Sequence, residues 1–218
     1  MTIIKRLQQY PFVQAKYHSS RASAQVEVVV LHYTAGRSNA LGLANFFARG
    51  SRKASAHFGV GRPGEVVQMV DLNDAAWHAG KSSFMGKSPV GNMSVGIEIC
   101  NVGWAYMDKI AAENKFSGEH RNPACRAELW EKFTREQVAS VQKLLVELKE
   151  AIPTIKYVTG HEDIRNTITV PSLRGSKTDP GPAFPWQTLA TDSIGLERWA
   201  MDFDTKKWIY VPEGVIAT

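Results

Sequence analysis

Cysteine is scarce in this chain: Cys100 and Cys125 are its two thiols, and they form no CxxC pair. The disulfide framework that staples small secreted domains is therefore excluded, while two free thiols and a single bridge both stand open. Long apolar runs are missing as well. No stretch approaches the ~20 consecutive apolar residues that cross a bilayer, so stable membrane insertion is not expected. The N-terminal MTIIKRLQQYPFVQAKYHSS carries early basic residues, but Gln8, Gln9, Pro11 and Gln14 interrupt it where a signal peptide needs an apolar core. Synthesis in the cytoplasm without classical export is the expectation. Internal repeats and low-complexity segments are also lacking, which removes solenoids and disordered tails from consideration.

What remains is the composition of one soluble domain. The 218 residues are 44% hydrophobic and 22% charged, enough apolar material for a substantial core. The formal charge of +5 is spread along the chain and suits an anionic polymer without naming one. Nucleic acid is not an expected partner, because no motif interleaves base-stacking aromatics with basic residues.

The β-branched run VEVVVLHYT (26–34) predicts a strand buried on both faces, with the domain starting near Val26. Ser38 or Asn39 caps a helix through ALGLANFFARG, with Leu41, Ala44, Asn45 and Ala48 on one face and Gly50 as its stop. AHFGVG (56–61) and EVVQMV (65–70) read as a hairpin turning at Arg62-Pro63-Gly64. After an exposed Gly/Ser/Lys loop at 80–93, SVGIEIC (94–100) alternates to put Val95, Ile97 and Ile99 on one side. The pattern fades across a polar insertion from Gly103 to Trp130. Thr134 and Gln137 then form a capping box for a helix to Lys149, with Val138, Val141, Leu144, Leu145 and Leu148 apolar. YVTGH (157–161) reads as a short strand ending in His161, and a long loop holds RGSKTDPGPAFPW (174–186). A tail follows, with one short helix and a strand-like KWIYV. These elements predict a mixed α/β domain.

A hydrolytic zinc site needs three protein ligands and an open position, and two His with a carboxylate are a standard set. His32 and His161 each stand at a strand end, and Asp179 sits in a Gly/Pro-bounded loop that can fold over them; a hydrogen-bonded structural role for each His is the competing reading. Glu98 lies between Ile97 and Ile99 on the face shared by Gly96 and Cys100, where a carboxylate is costly without a partner. It serves chemistry or joins a structural ion pair. Lys177, two residues before Asp179, points the same way in an extended loop, beside the carboxylate or into solvent. His18, His57 and His120 receive no metal role.

The blocks VVVLHYTAG (28–36), SAHFGVGRPGEVVQMV (55–70), AWHAG (76–80), NMSVGIEI (92–99), TGHEDI (159–164) and KTDPGPAF (177–184) occur in an order that resembles one family. It is the zinc N-acetylmuramoyl-L-alanine amidases related to peptidoglycan-recognition proteins, a family that includes the bacterial muropeptide-recycling amidase and the phage T7 lysozyme. The resemblance spans roughly residues 26–187. It implies a single-domain α/β fold with a central mixed β-sheet flanked by helices. The domain then covers 26–190, preceded by an N-terminal extension (1–25) and followed by a C-terminal tail (191–218) packed on it.

The resemblance further implies Zn2+ held by His32, His161 and Asp179, the last a place that some relatives fill with cysteine. Glu98 matches the catalytic base and Lys177 the lysine that stabilises developing charge, while Trp77 and His78 match residues beside the substrate groove, a core Trp being the other reading of Trp77. Some relatives place a tyrosine before the histidine matching His57; Ala56 stands there, so the base role falls to Glu98. The insertion NTITVPSLRGS lengthens the segment between His161 and Asp179 and bears on substrate preference. The expected activity is hydrolysis of the muramic acid–L-alanine amide bond of peptidoglycan by a monomer. The expected role is lytic and endolysin-like, with release to the wall by a phage holin or another non-classical route. Recycling of soluble 1,6-anhydro-muropeptides in the cytosol is the alternative, and a non-catalytic peptidoglycan-binding module is the reading from another class.

Overall fold

The computed structural model describes residues 6–164 and 177–217; the insertion at 166–176 lies outside them. In chain order the strands and helices are β1 (His18–Ser20), β2 (Val28–Tyr33), α1 (Ala40–Arg49), β3 (Phe58–Val60), β4 (Val66–Gln68), β5 (Asp74–Ala76), β6 (Ser94–Ile99), β7 (Lys115–Ser117), β8 (Leu129–Glu131), α2 (Arg135–Ala151), β9 (Tyr157–Gly160), α3 (His161–Ile164), β10 (Glu197–Asp202) and β11 (Lys207–Tyr210). Among the described residues the main sheet has seven strands in the order β11-β10-β9-β2-β6-β3-β4. Neighbours from β10 to β3 run parallel, and antiparallel β11 and β4 close the two edges, so the sheet is mixed.

Every residue of β2 is buried, as its valine-rich run requires of a central parallel strand. Val29 and Leu31, with Val95, Ile97 and Ile99 of β6, face Val141, Leu144, Leu145 and Leu148 of α2. Each of these fully buried side chains contributes roughly 1.5–3 kcal/mol of burial free energy, which fixes α2 against the sheet. Val28 and Val30 point the other way, onto Phe84, Val90 and Ile164. The alternation sends His32 to that second face, opposite α2.

Both helix caps follow the expected chemistry. Asn39 accepts from the Gly42 amide at 2.7 Å and Gly50 closes α1 in the left-handed region, while Thr134 and Gln137 form a complete capping box on α2. The buried face of α1 is Ala40, Leu43, Ala44 and Phe47 rather than the face containing Leu41, which is exposed. The i, i+3, i+4, i+7 stripe with the larger side chains meets Val67 and Met69 and wins.

Both ends of the chain are more integrated than the pattern suggested. In the segment expected as an N-terminal extension, β1 pairs with β5, and Leu7, Ala15 and Arg21 are buried. Residues expected to pack as a tail supply β10 and β11, which extend the central sheet itself. Cys100 and Cys125 are both free, and no described helix is long and apolar enough to cross a membrane.

The faintly patterned insertion holds a buried ionic clamp. Arg121 Nη2 donates to Asp163 Oδ1 at 2.7 Å and Glu162 Oε1 at 3.1 Å, and His120 Nε2 lies 2.8 Å from Glu162 Oε2. The same carboxylates accept from the amides of Gly181 and Met201, so the clamp ties the insertion, α3, the 179–181 loop and β10 together. Removing one partner of a buried network strands the other charges at a cost of about 3–5 kcal/mol. Arg121→Ala should lose about that much stability in urea unfolding; a loss under 1 kcal/mol would show that solvent reaches the carboxylates.

Candidate active site

Parallel pairing sets the site. β2 and β6 align so that His32 stands beside Glu98, and β9 aligns Gly160 with Leu31, which brings His161 to the same carboxyl-terminal edge of the sheet. Clefts in sheets of this kind open at that edge. His161 is the first residue of α3 rather than the last of a strand, turned inward as the chain leaves β9. Asp179 joins from the loop, whose backbone is tied down where the Glu162 amide donates to Asp179 O at 2.9 Å.

The three donors converge. His32 Nδ1 lies 2.8 Å from His161 Nδ1 and 2.9 Å from Asp179 Oδ2, and His161 Nδ1 lies 2.8 Å from the same oxygen. All three residues are buried. Two imidazole nitrogens facing each other beside one carboxylate oxygen need a shared proton or a cation to be satisfied. The donor set, two nitrogens and one oxygen, fits zinc with a fourth position left for water. Burial, then repulsion from His161, lowers His32 to about 4, which keeps its ring neutral. Asp179 is held well below the usual carboxylate range, because His161 and His32 outweigh the opposing effect of burial.

Glu98 stands apart from any ion pair. Its Oε2 is buried without a hydrogen-bond partner among the described residues. Burial, with the Asp179 charge adding to it and Lys177 opposing, pushes the carboxyl up to about 8. A carboxyl poised to gain and lose its proton around neutral pH suits general acid–base work.

Glu98, His161, Asp179 and Lys177 line one groove of about 1100 Å3 together with Trp77 and Trp104. The Trp77 indole is 42% exposed and stacked on Tyr17 at 5.4 Å, so it is not a core tryptophan. His78 also touches the groove but is 8% exposed, with Nδ1 against His32 Nε2 at 2.9 Å. Trp104 escaped the sequence reading: it lies in the insertion, 52% exposed, and donates to Thr178 Oγ1 beside Asp179. The signal that could have found it was a large aromatic in an otherwise polar segment. His57 is structural, accepting from the Gly96 amide through Nδ1 and donating from Nε2 to Asp74 O.

A mixed α/β domain that gathers two histidines, an aspartate and a glutamate with one buried, unpaired carboxylate oxygen at the carboxyl edge of its parallel strands has the build of a metal-centred hydrolase. The chain belongs to the N-acetylmuramoyl-L-alanine amidase family, whose sequence profile matches residues 22–182. It is 28% identical over 191 residues to the N-acetylmuramoyl-L-alanine amidase AmiD of Escherichia coli, covering 84% of this chain and 59% of that protein. Identity to the 1,6-anhydro-N-acetylmuramyl-L-alanine amidase AmpD of the same organism is 33% over 135 residues, 62% of this chain and 55% of the relative. Among solved structures, the complex of E. coli AmiD with the substrate anhydro-N-acetylmuramic acid-L-Ala-D-gamma-Glu-L-Lys superposes with a TM-score of 0.57 at 27% identity, over 84% of this chain and 62% of that one. The chain thus spans less than two thirds of the length of these relatives.

Proposed function

We propose that this chain hydrolyses the amide bond between the lactyl group of N-acetylmuramic acid and L-alanine, and that it takes soluble anhydro-muropeptides in preference to polymeric wall. The observation that carries the reading is the buried, unpartnered Glu98 Oε2 on a groove also lined by His161 and Asp179, which form one donor cluster with His32. Preference for soluble substrate revises the lytic expectation, supported by the 1,6-anhydro-N-acetylmuramyl-L-alanine amidase AmpD among the relatives and by the anhydro-N-acetylmuramic acid peptide bound in the AmiD complex.

His32, His161 and Asp179 would hold a zinc ion, which when bound would supply Lewis acidity and a water that ionises at about 7. Glu98 takes the proton of the attacking water as its oxygen bonds to the lactyl carbonyl carbon. Lys177, exposed on the groove wall, offers its ammonium to the oxyanion. The carbon–nitrogen bond then breaks, and Glu98 delivers its proton to the departing L-alanine nitrogen. Trp77 and Trp104 offer aromatic faces to the sugar ring and the apolar parts of the peptide.

Arg49 and Arg52 are exposed on the same groove, and neither has an ion-pair partner among the described residues. A γ-linked glutamate leaves its α-carboxylate free, which two guanidiniums can read. The double variant Arg49→Ala/Arg52→Ala should raise KM about three- to tenfold with kcat within about twofold, the pattern of lost uniform binding. A fall in kcat with unchanged KM would place these arginines outside substrate recognition. The substrate preference itself is tested by comparing peptide release from soluble anhydro-muropeptides and from intact sacculi at equal enzyme. Release at least about tenfold faster from the soluble substrate is expected, and equal or faster digestion of sacculi would return the lytic reading.

A further inference from the structure

The face of β6 that looks into the site carries Ser94, Gly96 and Glu98 at alternate positions. Glu98 lies beside His32 in register, whereas Gly96 and Ser94 serve His78. The His78 ring occupies the space that a side chain at 96 would take: a Cβ there would lie 2.5 Å from His78 Cγ. Its Nδ1 is 2.9 Å from His32 Nε2, and its Nε2 is 2.9 Å from Ser94 Oγ. The His32 and His78 rings meet edge to face, with planes 86° apart.

This line of three groups can carry its protons in two directions. His32 aims Nδ1 at the His161 and Asp179 donors, and a ring nitrogen that binds a cation must keep its lone pair. The single proton of a neutral His32 then sits on Nε2 and is donated to His78 Nδ1. His78 accepts there only with its own proton on Nε2, donated onward to Ser94 Oγ. In the opposite direction Ser94 donates to His78 Nε2, His78 Nδ1 donates to His32 Nε2, and the His32 proton is forced onto Nδ1, inside the donor cluster. The two arrangements exclude each other, and only the first leaves His32 able to bind metal.

We propose that His78, seated on Gly96 and anchored by Ser94 Oγ, is a positioning residue that fixes His32 as its Nε2–H tautomer and so holds Nδ1 ready as a ligand. The inference rests on the zinc reading given above. Outer partners of ligating histidines are commonly carboxylates or carbonyls. A neutral imidazole in that place orients the ring without adding negative charge to a site that already holds Asp179 and Glu98.

His78→Phe keeps a ring over Gly96 and removes both nitrogens; His78→Gln restores an acceptor. Competition with a chromogenic chelator should show zinc affinity falling about 10–100-fold in the Phe variant, with the Gln variant recovering most of the loss. Nitrogen-15 NMR of the wild-type protein should show protonated Nε2 on both His32 and His78, a readout that does not depend on any variant folding. Zinc affinity within twofold of wild type in a folded His78→Phe protein overturns the proposal, as does a His78 protonated at Nδ1. Failure of the wild-type protein to bind zinc overturns the metal reading instead.

Discussion

Glu98→Gln is expected to retain zinc and to lose two to four powers of ten in kcat on a muramyl-L-alanine substrate, the usual contribution of a general acid–base. Gln fills nearly the same volume, so the strand and its packing survive, while the group can no longer take a proton from water and return it to the leaving nitrogen. The size of the effect follows from isolation. Glu98 Oε2 has no hydrogen-bond partner among the described residues, so no neighbour stands ready to assume its role. Metal analysis alongside single-turnover kinetics separates this account from a structural one. Turnover within tenfold of wild type, with zinc still bound, would show that the proton moves elsewhere.

Asp179→Ala is expected to lose zinc and activity together, with affinity falling by more than the roughly 10–100-fold that an outer partner is worth. Asp179 supplies the only negative charge in the donor cluster and sits within 2.9 Å of both imidazole nitrogens. Asp179→Cys is the informative companion, because a thiolate is a zinc ligand in its own right. Substantial zinc binding by the Cys variant and none by the Ala variant is the predicted pair of results. Equal zinc content in all three proteins would place the metal elsewhere.

The sequence made some features legible and hid others for physical reasons. Local chemistry announces itself: the capping box at Thr134, the αL stop at Gly50, and the valine run that can only be a doubly buried strand are each written within a few residues. Glu98 was visible as an anomaly, a carboxylate in an apolar strand, but its place beside His32 depends on the parallel register of β2 and β6. Nothing local encodes that register. The same holds for His78, whose location behind His32 needs Gly96 to be bare on a strand far away in sequence. The clamp of His120 and Arg121 on Glu162 and Asp163 joins four segments, two of them without pattern. β10 was missed, and the strand-like β11 had no visible place in the sheet, because the parallel pairing of β10 with β9 joins segments distant in sequence and leaves no local mark.

The central claim concerns one bond. Incubating the zinc-loaded protein with an anhydro-muropeptide in heavy-oxygen water, and weighing the products by mass spectrometry, tests it most directly. The account predicts a peptide beginning with a free L-alanine amine and an anhydro-muramic acid whose lactyl carboxylate carries one heavy oxygen, with both products abolished by chelation and restored by zinc. Cleavage after L-alanine, or an unchanged rate in the metal-stripped protein, would contradict it.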